Sequence, residues 1–203
     1  VRSGEDGKLR LTKDGLLPLD PETGKDKTGA SDNWWVGLAL LHRLFTLEHN
    51  AICDALMKAH PAWDDENLFQ HARLINAALM AKIHTVEWTP AILPHPTLLV
   101  GMRSNWWGAQ GEQIYRKFGR ISSSEAISGI VGSPVDQHGA YYAMTEEFNA
   151  VYRMHPLLPD EFTFRSARDN SAIFNGAFPD LFGGNARKHM EGIAFHDLLY
   201  SFG

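Results

Sequence analysis

Apolar residues recur at helical spacing in two long stretches, and these set the fold class before any chemistry is considered. Leu38, Leu41, Phe45, Ile52 and Leu56 predict a helix that starts after a Ser31, Asp32, Asn33 cap and runs toward Pro61. In WDDENLFQHARLINAALMAKIHTVEW the stripe is Leu68, Ala72, Ile75, Leu79, Ile83 and Val86, with acidic residues at the start and Pro90 just beyond the end. The opposite side carries Ala77, Met80, Ala81, His84 and Trp88, so this second helix is apolar nearly all round. Such a pattern predicts a helix buried inside a larger body.

Elsewhere the pattern is more broken. Residues 1–30 are polar, and KLRLTKDGLLPLD predicts two short extended pieces about an Asp14-Gly15 turn: a surface arm or hairpin without a core of its own. A helix is expected across Ser104 to Phe118, stopped by Gly119, with Trp106 and Trp107 as packing groups. SSSEAISGIVGSPVDQHG predicts a short helix and loops, and FTFRSARDN alternates before a Gly/Asn-rich loop to Gly184. A final helical segment is expected over NARKHMEGIAFHDLLYSFG.

Composition narrows the function classes. At 203 residues with 44% apolar content, the chain can bury a core. A net charge of -5 and scattered Lys and Arg argue against nucleic acid as a partner. Cys53 is the one cysteine, which excludes an intrachain disulfide and a CxxC metal site, and it reads as a small apolar residue within a helix. No run of about 18 apolar residues is present to span a bilayer. The N-terminus does not read as a signal peptide, and the location stays open, cytoplasmic or membrane-peripheral being the options.

The most informative segment is EEFNAVYRMHPLLPD, residues 146–160. If it is helical, Tyr152 and His155 lie one turn apart on one face, with Cβ atoms about 5–6 Å apart. Phe148 and Val151 share that arc, which predicts a largely dry setting. Thr145 with Glu146 and Glu147 supplies a helix start, and Pro156 bounds its end. Taken alone, Tyr-x-x-His fits either a redox tyrosine beside a metal-binding histidine or two satisfied core side chains. His84, on an apolar helix, fits a hydrogen-bonded core imidazole or one that meets a ligand. His42, His49, His189 and His196 read as structural.

The whole string EEFNAVYRMHPLLPD resembles the proximal-helix signature of the animal-type heme peroxidase and cyclooxygenase superfamily. LEHNAICDAL and DDENLFQHARLINAALMAKIHTVEWT precede it and are similar to two further helices of that superfamily, in the same order. Within it, KIHTVEWTPAIL, GMRSNWWG, VYRMHPLLPD, DGLLPLD and GIVGSPVDQHG are most similar to the fatty-acid α-dioxygenases, over nearly the full length. The resemblance implies a mainly α fold, with residues 31–203 forming the proximal part of a heme-peroxidase helical catalytic domain that has long irregular loops. It implies heme b, with His155 as the proximal iron ligand and Tyr152 as the radical site. It also implies that His84 and Thr89 bind a substrate carboxylate, and that the partners are a fatty acid, O2 and a peroxide activator; peripheral membrane contact is left open.

Some parts of the family pattern have no match here. The distal histidine segment, the calcium loop beside it and a carboxylate-pairing arginine near the family's C-terminal end are not matched, so calcium receives no ligand in this chain. The expectation is the middle and proximal part of a longer polypeptide. The readings open at this point are a fatty-acid α-dioxygenase, a heme peroxidase or mid-chain fatty-acid oxygenase, and a non-catalytic helical remnant acting as an interaction module.

Overall fold

The first apolar stretch forms α1 (Val36–Ala59), but neither its start nor its buried face follows the largest hydrophobic side chains. Trp35 is the N-cap, with extended backbone and no side-chain cap bond. Tertiary contacts fix the entry instead. Trp35 bridges to Phe182, its ring lies 5.4 Å from that of Phe178, and Gly183 donates its N–H to the Trp34 carbonyl. The buried face comprises Val36, Gly37, Ala39, Leu40, His49 and Cys53, whereas Leu41 is 49% exposed. Small residues form much of this face, so hydropathy alone assigned the helix correctly and its facing imperfectly.

The computed structural model describes residues 2–28, 32–135, 145–151 and 158–202. After α1 come α2 (Asp65–Ile83), a π turn at His84–Trp88, α3 (Thr89–Ile92), α4 (Pro96–Trp107), α5 (Gly111–Phe118), α6 (Glu125–Ser128) and α7 (Glu146–Val151). Strands β1 (Glu161–Arg165) and β2 (Ala172–Ala177), a 3-10 turn at Phe178–Leu181, α8 (Gly184–Gly192) and α9 (Phe195–Phe202) complete the order. The fold is mainly helical. Two compact units are distinguished: residues 1–73 with 145–203, and residues 74–144. Among the described residues no helix is long and apolar enough to cross a membrane.

The core of the first unit gathers Leu16, Trp34, Val36, Ala39, Leu40, Phe164, Leu181, Ala186, Met190 and Leu198. α8 packs on α1, with buried Ala39 and Ala186 adding little bulk, and α9 packs on β1. The polar N-terminal segment enters this body: Leu16 is in the core and Asp26 is buried. Asp26 accepts the Trp34 indole N–H at 2.9 Å and pairs with Arg187 at 2.7 Å, while Arg187 also donates to the Leu17 carbonyl. The Lys13–Gly15 turn forms as expected, closed by Gly15 N–H to Thr12 C=O, and two isolated bridges, Arg2 with Leu9 and Leu19 with Asp26, flank it.

The alternation in FTFR becomes β1, and β2 pairs with it antiparallel where only a loop was expected. Phe164 stands opposite Phe174, their rings 5.2 Å apart, and Asn170 at φ 60° turns the chain between the strands. Asn175 and Gly176 had disguised β2, because they are ordinary turn formers. The final helical segment is two helices, separated at Ile193 by extended backbone.

In the second unit the expected Ser104–Phe118 helix is also two helices, α4 and α5, parted at Gly108. Gly108 (φ 67°) and Gly129 (φ 71°) let two chain segments touch: a Cβ on Gly129 would lie 2.1 Å from the Trp106 carbonyl oxygen. Ala109 and Gln110 then donate backbone N–H groups to Ala126 and Ile127. The buried Ser128 hydroxyl donates to Gln110 Oε1 at 2.6 Å, and Arg120 donates to the Gly129, Val131 and Ser123 carbonyls. Trp107 is buried there beside Tyr115, as its packing reading required.

Two substitutions test this account by denaturant unfolding. Arg187→Met leaves the Asp26 carboxylate buried without its cation and is expected to cost about 3 kcal/mol. Gly129→Ala combines positive φ with a backbone clash and should cost about 2 kcal/mol or more, whereas a change at open Gly24 that keeps positive φ, Gly24→Asn, should cost under about 1 kcal/mol.

Candidate functional site

Pro90 decides the geometry at the end of α2. It has no N–H to return to Val86, and its ring crowds that carbonyl. The chain does not stop there, as the sequence pattern predicted, but widens into the π turn at His84–Trp88 and continues as α3 with Pro90 in its first turn. Within the π turn the Thr89 N–H donates to the His84 carbonyl, five residues back. The Thr89 hydroxyl donates to the same oxygen at 2.7 Å. On an unbroken α-helix residues five apart stand about 140° apart around the axis. The π turn therefore joins the two expected carboxylate-binding residues, a local wide turn of the kind often found at functional sites.

His84 is exposed, which corrects the expectation of a buried imidazole. The side of α2 that does become buried carries Leu68, Ala72 and Asn76, while Ile75, assigned to the stripe, is 44% exposed. By the 3.6-residue period His84 falls on the other side of the helix from Leu68. Its ring stacks on Trp88, with centroids 5.1 Å apart and planes at 27°. Sequence reasoning missed this partner, which the i, i+4 spacing could have revealed.

The other pair is less fully described. α7 covers Glu146–Val151 with Glu146 and Glu147 in its first turn, in the place the sequence predicted. Tyr152 and His155 follow it and lie outside the described residues. Val151, expected on a dry face, is 83% exposed, with nothing among the described residues packed over it.

The remaining donors help to define what kind of metal group could fit. His49 donates to the Gly7 carbonyl, His42 to Leu38, His71 to Asn67 and His189 to Asp180, all at backbone oxygens. Among the described residues no group of three or more His, Cys, Asp or Glu could hold a metal ion. Cys53 is fully buried, and that burial pushes its thiol pKa up, away from a thiolate ligand. A cavity of about 420 Å³ opens in the first unit between Leu16, Arg43, Met190 and Phe195, and neither His84 nor Thr89 is among its described lining residues.

Known proteins match the chain along its whole length. The family model described as animal haem peroxidase matches residues 1–203. The chain is similar to the alpha-dioxygenase PIOX of Nicotiana tabacum, 41% identical over 211 residues, covering 100% of this chain and 32% of the relative. The solved fatty acid alpha-dioxygenase of Arabidopsis thaliana superposes with a TM-score of 0.89 at 39% identity, over 99% of this chain and 32% of that one. The Oryza sativa fatty acid alpha-dioxygenase solved with palmitic acid gives 0.87 at 36% identity, over 98% and 34%. The chain thus spans about a third of the length of the curated relatives it matches.

The buried thiol provides a test independent of the candidate chemistry. Cys53 in the native protein should react with a disulfide reagent at least about 10-fold more slowly than in denaturant. Because its folded pKa is raised, its contribution to stability is full below the unfolded thiol pKa of about 8.5 and is lost as pH rises above that value. Cys53→Ala should remove that part of the alkaline decline in an unfolding titration.

Proposed function

Because the chain belongs to the animal haem peroxidase family, we propose that it forms the substrate-anchoring and proximal part of a heme-dependent fatty-acid α-dioxygenase. The observation that carries the reading is the π turn, which joins His84 and Thr89 in a chain similar throughout to alpha-dioxygenases. The exposed imidazole of His84 is open to a ligand and can donate a charge-assisted hydrogen bond to a fatty-acid carboxylate. His84 and Thr89 act as one anchor, and fixing the carboxylate there presents the neighbouring carbon rather than one in mid-chain.

His155 would hold the iron of heme b through an imidazole nitrogen. When bound, heme supplies the oxidising power, drawn from a peroxide activator. Tyr152 gives up its phenolic proton and one electron to become a radical, then takes a hydrogen atom from the α carbon. Dioxygen adds to the carbon radical, and return of a hydrogen atom from Tyr152 yields the 2-hydroperoxy fatty acid and restores the tyrosyl radical. The net change is insertion of O2 into one C–H bond. Calcium has no ligand assigned in this chain.

The test uses the full polypeptide loaded with heme. Tyr152→Phe should keep the heme absorbance and lower fatty-acid-dependent oxygen uptake by about 100-fold or more, since phenylalanine has no phenolic hydrogen to lose. His155→Ala should lose the five-coordinate heme spectrum. Product mass should give a 2-hydroperoxy acid or the aldehyde one carbon shorter. Mid-chain oxygenation, or full oxygen uptake by Tyr152→Phe, would refute the reading.

A further inference from the structure

Another cavity in the first unit, of about 190 Å³, has Arg10, Lys27, His42 and Thr46 among its polar walls and Leu9 and Leu17 among its apolar ones. No carboxylate is among its described lining residues, although the chain as a whole carries a net charge of -5. Concave sites with low-dielectric walls and charge of one sign focus the field and concentrate counterions. The volume is below the roughly 300–1,000 Å³ of pockets that enclose a whole drug-sized molecule, so it suits one small group.

The polar groups of this cavity have bonding capacity to spare. Among the described residues neither the Arg10 guanidinium nor the Lys27 ammonium pairs with an acid, and the Thr46 hydroxyl has no hydrogen-bond partner. Asp20 feels the charge of Lys27, but its Oδ1 already accepts the Glu22 and Thr23 N–H groups and it does not line the cavity. His42 donates its Nδ1–H to the Leu38 carbonyl at 2.8 Å, which makes Nε2 of the neutral ring an acceptor. Two cations, one hydroxyl and one imidazole acceptor thus share one small space.

The backbone that carries them is fastened. Leu9, next to Arg10, exchanges both of its backbone groups with the Asn50 side chain on α1, at 2.8 and 2.9 Å. Lys27 donates its N–H to the Pro18 carbonyl, and Asp26 beside it is tied to Trp34 and Arg187. His42 and Thr46 stand one turn apart on α1, and the Trp34 ring meets the His42 ring edge-on at 4.9 Å. The framework is held by neutral hydrogen bonds and a separate ion pair, so the cationic tips of Arg10 and Lys27 are not needed to build it.

We propose that this cavity binds inorganic phosphate as the hydrogenphosphate ion, which bridges the N-terminal segment and α1. The charged oxygens accept from Arg10, Lys27 and Thr46, and the P–OH donates to Nε2 of His42. Sulfate offers the same oxygens but has no O–H at neutral pH. A phosphate monoester, with its second pKa at about 6, has largely lost that proton as well. The site is independent of the α-dioxygenase reading and stands or falls without it.

Isothermal titration of the full heme-loaded polypeptide at neutral pH tests the site, with sodium phosphate and, at matched ionic strength, sodium sulfate. The expected result is saturable one-site binding of phosphate with a Kd of about 1 mM or below, and sulfate about fivefold weaker, the size of one hydrogen bond. Arg10→Gln and Lys27→Gln should each weaken phosphate about 10-fold, as loss of one charge-assisted hydrogen bond requires. His42→Leu should bring phosphate to within about twofold of sulfate. Lys13→Gln removes the same charge outside the cavity and should change the Kd by less than about 1.5-fold.

Absence of saturable phosphate binding would overturn the proposal, and so would a Lys13→Gln effect as large as that of Arg10→Gln. Equal affinity of the wild-type protein for phosphate and sulfate would overturn it too, leaving only a non-selective positive surface. Heme absorbance at the wild-type level confirms folding of each variant, and if one of Arg10→Gln and Lys27→Gln loses it, the other decides the question.

Discussion

A single buried carboxylate, Asp26, organises the first unit. It accepts the indole N–H of Trp34, just ahead of α1, and pairs with Arg187 on α8, which also donates to the Leu17 carbonyl. A segment that is polar by composition is thereby fastened to helices from distant parts of the chain. The pairing also explains how charged groups can be inside at all: the carboxylate has donors on both oxygens, and the guanidinium has a second acid, Glu191, and a carbonyl. Around it, Leu16, Trp34, Leu40, Phe164 and Leu198 can pack without leaving a polar atom of the knot unmet.

The second unit solves a different problem. Its short helices are interrupted at glycines that allow backbones to touch, and at Pro90, which removes a donor in mid-helix. At Gly108 and Gly129 the consequence is close packing. At Pro90 the consequence is chemical: the widened turn sets both Thr89 donors on the carbonyl of His84, five residues back, and stacks the Trp88 indole on the His84 imidazole. The turn lies between α2 on one side and a short helix on the other, and the exposed imidazole has the Trp88 indole against it.

Much of the fold could be read from the pattern along the chain. The α1 and α2 periodicities, the Asp14-Gly15 turn, the FTFR strand and the acidic start of α7 all reflect local spacing and local turn chemistry, which act over a few residues. Several details could not be read in that way. The α1 face is built on Ala39, Gly37 and Cys53, whose burial depends on what packs opposite. The breaks at Gly108 and Ile193 were hidden because helical spacing continued through them.

The sequence by itself determined the family and the candidate chemistry, because the order LEHNAICDAL, KIHTVEWTPAIL and VYRMHPLLPD carries specific residues at fixed spacing. It also picked out His84 and Thr89 together. Only the tertiary structure decided how that pair is joined, since a five-residue spacing means opposite sides on an α-helix and one shared carbonyl on a π turn. It likewise leaves His84 exposed within this chain, which spans about a third of the length of its relatives. Burial is set by which face of α2 finds partners, and that information resides in residues far away along the chain.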